Sequence, residues 1–128
     1  MVRVTGVDHV VLVVADARRA LAWYRDRLGL APLRLDEWER GEVPFVSVRV
    51  DAGTIIDLFE GTRTGTNVDH LCVVVDRDAL GPGGLEAVAA SGDFDVVGPP
   101  GDRFGARGVG RSLYVHDPDG NIVELRHY

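Results

Sequence analysis

Two histidines and two carboxylates interrupt apolar stretches of this sequence, and they do so in step. His9 lies in Val7-Asp8-His9-Val10-Val11-Leu12-Val13-Val14, and His70 takes the same place in Val68-Asp69-His70-Leu71-Cys72-Val73-Val74-Val75. Asp57 lies in Gly53-Thr54-Ile55-Ile56-Asp57-Leu58-Phe59, and Glu124 takes the same place in Gly120-Asn121-Ile122-Val123-Glu124-Leu125-Arg126. A carboxylate set among Ile, Val and Leu is costly to bury unless it is paired, hydrogen-bonded or coordinated. Two imidazoles with one or two carboxylates form a divalent-metal donor set, and a two-His, one-carboxylate triad leaves positions for substrate. The structural alternatives are a satisfied core histidine and a carboxylate paired with arginine. Asp57 reaches one methylene less far than a glutamate, so direct ligation stands beside a water-mediated or structural role.

Other chemistries lack their residues. The 14 basic side chains are all arginine, which removes Schiff-base and phosphate-loop lysine chemistry. None of Ser47, Ser91 and Ser112 sits in a Gly-x-Ser-x-Gly elbow. The single cysteine, Cys72, excludes an intrachain disulfide and is compatible with a reducing cytoplasm. It lies two residues from His70, hence on the same strand face, and is expected to be a small buried residue. A net charge of −6 argues against a general nucleic-acid or anionic-membrane binder. No apolar run is long enough to span a membrane, and the first residues lack a secretory leader's pattern.

The elements that must position these groups come as a repeat. The spacing between copies is longer for the carboxylate segments than for the histidine segments, so the second copy carries an insertion. The Gly/Pro-rich stretch from Gly98 to Gly110 is its expected place. We expect one domain over 1–128, with a first module over about 5–60, a linker over 61–66 and a second module over about 67–128. Residues 7–14 and 68–75 read as buried strands. Asp16 caps a helix whose Ala20, Leu21, Tyr24 and Leu28 share a face, with Gly29 just past its end. Leu85, Val88 and Ala89 form the second helical stripe, which Gly92 terminates. Val46, Val48 and Val50 alternate in a strand followed by residues 54–60, matched by Leu113–Val115 and Ile122–Leu125.

The turn Asp117-Pro118-Asp119-Gly120 suits a type I turn with a left-handed Gly120. That register pairs Asp117 with Asn121 and opposes Tyr114 to Glu124; the equivalent turn opposes Ser47 to Asp57. Arg103, Phe104, Arg107 and Arg111 fall in the stretch 101–111, read as a loop, either a mobile connection or one that closes over an anionic substrate. His116 precedes the tight turn, where it is either simply exposed or a proton shuttle.

The Val-Asp-His strand starts, Trp23-Tyr24-Arg25-Asp26-Arg27-Leu28-Gly29-Leu30, and His116-Asp117-Pro118-Asp119-Gly120-Asn121-Ile122-Val123-Glu124-Leu125 together resemble the vicinal oxygen chelate superfamily. It includes glyoxalase I, extradiol dioxygenases and bleomycin-resistance proteins. The resemblance covers essentially the whole chain. It implies an α+β fold of two tandem βαβββ modules forming a cupped, mostly antiparallel mixed sheet with helices on the outer face. It places His9, His70 and Glu124 on the family's metal positions, with Asp57 where glyoxalase-type members usually carry glutamate or glutamine. It further implies a divalent ion (Zn, Ni, Mn, Co or Fe) that chelates two adjacent oxygens of a small substrate and stabilises an enolate-like charge. Glu124, or Asp57 if loosely held, is then the expected base, and Tyr114 is either a donor to a substrate oxygen or a packing residue. The expected reaction is of lyase or isomerase type. A small ring-cleaving dioxygenase and a metal-free binding protein for cationic compounds are the alternatives. A homodimer in the cytoplasm is the expected state, with no nucleic-acid or membrane partner.

Overall fold

Period-two alternation layers each half of the chain. The computed structural model describes residues 3, 5, 7, 9–66, 68–105 and 108–128, leaving aside the side chains of 104, 105 and 108. The chain divides into two units, Met1–Gly65 and Thr66–Tyr128.

The first unit runs β1 (His9–Val14), α1 (Ala17–Leu28), β2 (Ala31–Leu33), α2 (Leu35–Glu39), β3 (Val46–Asp51) and β4 (Thr54–Glu60). Its sheet has the order β1-β4-β3-β2, with β1 parallel to β4 and the other pairs antiparallel. Leu12, Val14, Val46, Val48, Ile56 and Leu58 are buried, as are Ala17, Ala20, Leu21 and Tyr24 of α1. Each fully buried aliphatic side chain contributes about 1.5–3 kcal/mol. The other face carries His9, Val11, Asp57 and Phe59, and there Val11 and Phe59 are exposed. Helix α1 starts where expected: the Asp16 side chain accepts from the Arg19 N–H at 3.0 Å. It stops at Gly29, whose φ of 69° suits a residue without a Cβ. Helix α2 has no counterpart in the sequence reading. Its five residues carry no stripe long enough to register.

The second unit runs β5 (Leu71–Val74), a 3-10 turn (Asp78–Leu80), α3 (Gly84–Ala90), β6 (Asp95–Val96), β7 (Gly101–Gly105), β8 (Gly108–His116) and β9 (Ile122–His127). Strand order is β5-β9-β8-β6, with β5 parallel to β9 and β7 also on β8. Each unit therefore has the mixed α+β, βαβββ-type order, and the second adds a strand. That extra strand corrects the sequence expectation for 101–111. The stretch is a β-hairpin, not a loop: β7 pairs with residues 108–112 of β8, while β6 pairs with Val115 and His116. β6 and β7 are successive pieces of one edge, interrupted at Pro99-Pro100, where the ladder lacks two N–H donors. Residues 106 and 107, including Arg107 of that expectation, lie outside the described residues.

Both expected hairpin registers are present: Tyr114 opposes Glu124 and Ser47 opposes Asp57. The Asp117 N–H donates to Asn121 O at 2.9 Å, and Gly120 has φ 77°. Leu85, Leu113, Val115, Val123 and Leu125 form the buried apolar layer of this unit. Among the described residues, no helix is long and apolar enough to cross a membrane.

Candidate functional site

The polar face of the second sheet follows from register. Glu124 on β9 stands between Cys72 on β5 and Tyr114 on β8, and Ser112 stands opposite Arg126. Because side chains alternate, all five share one face, and Leu113, Val123 and Leu125 take the other. Arg103 on β7 is opposite Gly110, which places it on the same face as Ser112 and Tyr114.

Glu124 is 3% exposed and Arg126 is 2% exposed. Arg126 Nη2 donates to Glu124 Oε1 at 2.8 Å, and its Nη1 donates to the Arg103 carbonyl at 2.8 Å. The other carboxylate oxygen, Oε2, lies 3.2 Å from His70 Nε2. Burial pushes the Glu124 carboxyl up, but hydrogen bonds from Ser112 and Arg126, the Arg126 charge and Cys72 outweigh it. The net pKa lies below the ordinary glutamate value, so Glu124 is a carboxylate at neutral pH.

The tautomer of His70 follows from its neighbour. Nδ1 lies 2.7 Å from Asp69 Oδ2, and a carboxylate only accepts, so Nδ1 carries a proton. A neutral imidazole then presents the Nε2 lone pair to the Glu124 carboxylate. Two acceptors this close need a cation between them, either a second proton or a metal ion. Two donor atoms each about 2.1 Å from one ion stand about 3.0 Å apart in octahedral and about 3.4 Å apart in tetrahedral coordination, and the observed 3.2 Å lies between the two. Asp69 occupies the position of the carboxylate that commonly orients a metal-bound histidine through its other nitrogen. On donor chemistry and spacing, the His70–Glu124 pair fits a divalent ion. Within either unit, no group of three His, Cys, Asp or Glu side chains converges as a metal site among the described residues.

Tyr114 packs edge-on against the His70 ring, with centroids 5.4 Å apart. Burial, and then the Glu124 charge, push its pKa up, so its hydroxyl remains a proton donor. Cys72 is exposed, which corrects the expectation of a small buried residue: β5 is an edge strand, and its polar-face side chain is left uncovered. Desolvation of its sulfur and the Glu124 charge push the thiol pKa up, making Cys72 a poor thiolate.

The first unit places its pair differently. His9 opens β1 and is exposed, two residues before Val11, which pairs with Asp57. Asp57 is 3% exposed and already satisfied: Ser47 Oγ donates to its Oδ1 at 2.5 Å. Arg34 Nη1 stands 3.8 Å from the same oxygen. These partners hold the Asp57 carboxylate on the sheet face. His116 Nδ1 meets Asp95 Oδ2 at 3.2 Å across the β6–β8 pair, at the sheet end. A cleft of about 670 Å3 also lies in the second unit, lined by Arg77, Glu86, Arg111 and His127 among others. Arg111 there is bound to Glu86 and Asp102, and it pairs with His127 across the face opposite the His70–Glu124 pair.

Sequence reasoning missed Arg126, Ser112 and Asp69. The signal for Arg126 was present: a charge two residues after Glu124 lies on the same strand face. Asp69 precedes His70, as Asp8 precedes His9, although Asp8 lies outside the described residues.

Known proteins share this arrangement of strands and helices. Residues 6–125 match the Glyoxalase/Bleomycin resistance protein/Dioxygenase superfamily. The chain is 25% identical to Virulence protein STM3117 of Salmonella typhimurium, over 95% of this chain and 83% of that protein. Among solved structures, it is similar to VPC_CASS1 from the mobile metagenome of V. Pseudocholerae, with a TM-score of 0.76 and 25% identity, covering 100% and 98% of the two chains. Lactoylglutathione lyase from Agrobacterium tumefaciens shares the fold at a TM-score of 0.63 and 22% identity, covering 95% and 92%.

Proposed function

Because the chain belongs to the Glyoxalase/Bleomycin resistance protein/Dioxygenase superfamily, we propose that it is a metal-dependent enzyme of lyase or isomerase type acting on a small substrate. The observation that carries this reading is the 3.2 Å approach of His70 Nε2 to Glu124 Oε2, with Nδ1 already committed to Asp69. His70 and Glu124 are the proposed ligands in the second unit, and His9, on its repeat position alone, is the proposed ligand in the first. Asp57 supports the first sheet through Ser47 rather than ligating. A divalent ion held there supplies Lewis acidity toward a substrate oxygen.

The chain's own residues do the rest. Arg126 grips Oε1 and fixes the Glu124 carboxylate in one orientation. Asp69 holds the His70 ring. Tyr114, kept protonated, donates to a substrate oxygen, and the ionised Glu124 accepts a proton from a carbon or oxygen beside it.

One observation favours the second reading, a metal-free binding protein: the Glu124–Arg126 ion pair satisfies the buried carboxylate without an ion. Elemental analysis separates the two. Protein purified without added metal, or reconstituted with Zn, Ni, Mn, Co or Fe, should retain a divalent ion that a His9→Ala, Glu124→Ala double variant loses. Wild-type protein that retains none under any of these conditions overturns the enzyme reading in favour of the binding protein.

A further inference from the structure

Arg103 is a charge without a counter-charge beside the proposed site. It is half-buried on β7, and among the described residues no carboxylate lies within ion-pair distance of it. Leaving a guanidinium partly desolvated and unpaired is costly, in a chain where acids outnumber bases by 20 to 14.

Its position is nevertheless fixed. Nη1 donates to Ser112 O at 3.1 Å, Ser112 Oγ at 3.2 Å and Gly101 O at 3.3 Å. The guanidinium carbon stands 4.8 Å from the centre of the Tyr114 ring, a cation–π contact. Tyr114 in turn packs against His70. Gly101, two residues earlier on the same strand, provides the room: a Cβ there would stand 3.0 Å from Arg103 Nη1 and 3.3 Å from the guanidinium carbon.

One nitrogen of the guanidinium is therefore spent on anchoring. The Nε–Nη2 edge, which can grip two coplanar oxygens, has no hydrogen bond among the described residues. Preorganised, half-desolvated and uncompensated, it is built to receive an anion.

We infer that Arg103 docks an anionic group of the substrate, a carboxylate or a phosphate, one aromatic ring away from the His70–Glu124 pair. The inference rests on the reading that substrate occupies this sheet face. It does not require the metal. Tyr114 provides the flat wall between the anchored end and the reacting end, so the residue sets specificity by charge and by distance.

The test is calorimetric titration of the metal-stripped protein with inorganic phosphate, succinate and, as a neutral control, succinamide. We expect one equivalent of phosphate or succinate to bind, with succinamide silent; which anion binds tells phosphate from carboxylate. Arg103→Lys, which keeps the charge but loses the fork, should weaken binding about tenfold, and Arg103→Met should abolish it. In the unaltered protein, the Arg103 Nε–H resonance, identified by its loss in Arg103→Lys, should shift during the titration, which guards against variants that misfold. No anion binding by wild type up to about 10 mM, equal binding of succinamide, or an unmoved Arg103 resonance each overturns the inference. Failure to hold a divalent ion would defeat the enzyme reading while leaving the anion titration intact, so the two failures are told apart.

Discussion

Replacing Arg126 by methionine tests how Glu124 is held. Both side chains of the pair are buried, at 2% and 3% exposure, and they meet at 2.8 Å. Arg126→Met keeps most of the volume but strands a buried carboxylate, which costs about 3–5 kcal/mol. The Arg103 carbonyl also loses its donor, a share of about 1 kcal/mol.

The sign with pH is specific. In the wild type the folded pKa of Glu124 is depressed below 4.5. Its contribution is therefore present at neutral pH and is lost as pH falls below 4.5 and through the lower folded value. Burial is already the largest single influence on Glu124; without the guanidinium's hydrogen bond and charge it is no longer outweighed and pushes the carboxyl up, so the variant is relieved by taking up a proton on folding. Urea unfolding of metal-stripped protein at pH 7 and near pH 4 should show the gap between the two proteins shrink by about 2–3 kcal/mol on acidification. A gap under about 1 kcal/mol at pH 7, or one that does not change with pH, would refute the reasoning.

Two further outcomes follow from the same geometry. Asp57→Asn removes the charge but not the side chain that accepts from Ser47 Oγ; it should cost about 1–2 kcal/mol in urea unfolding and leave metal content unchanged, and a lost ion would restore Asp57 as a ligand. Gly110→Ala puts a methyl group 2.7 Å from the His127 carbonyl in the β8–β9 ladder; a loss of about 1–3 kcal/mol in chemical denaturation is expected, and an unchanged midpoint would contradict it.

What the sequence made legible follows from what is local. The cap at Asp16, the stop at Gly29 and the turn at Asp117–Gly120 are set by neighbouring residues, and they carried the Tyr114–Glu124 register with them. Strand β7 was hidden because its glycines and its Phe104-Gly105 end read as a connection. Pairing with β8, a tertiary event, makes it a strand. Helix α2 was hidden for the opposite reason, being too short to show a period. The buried carboxylates were visible as interruptions, but their partners were not: whether Glu124 meets an arginine, a histidine or both depends on rotamers and on the faces of three strands. The exposure of Cys72 likewise depends on β5 lying at a sheet edge, which composition does not encode.

The most direct test is the imidazole nitrogen spectrum of His70. With Nδ1–H held by Asp69, adding Zn2+ to metal-stripped protein should move the His70 Nε2 resonance strongly while Nδ1 keeps its proton. The same ion should leave it unmoved in Glu124→Ala. A His70 ring that carries its proton on Nε2, or whose nitrogens ignore the metal in the wild type, would contradict the account.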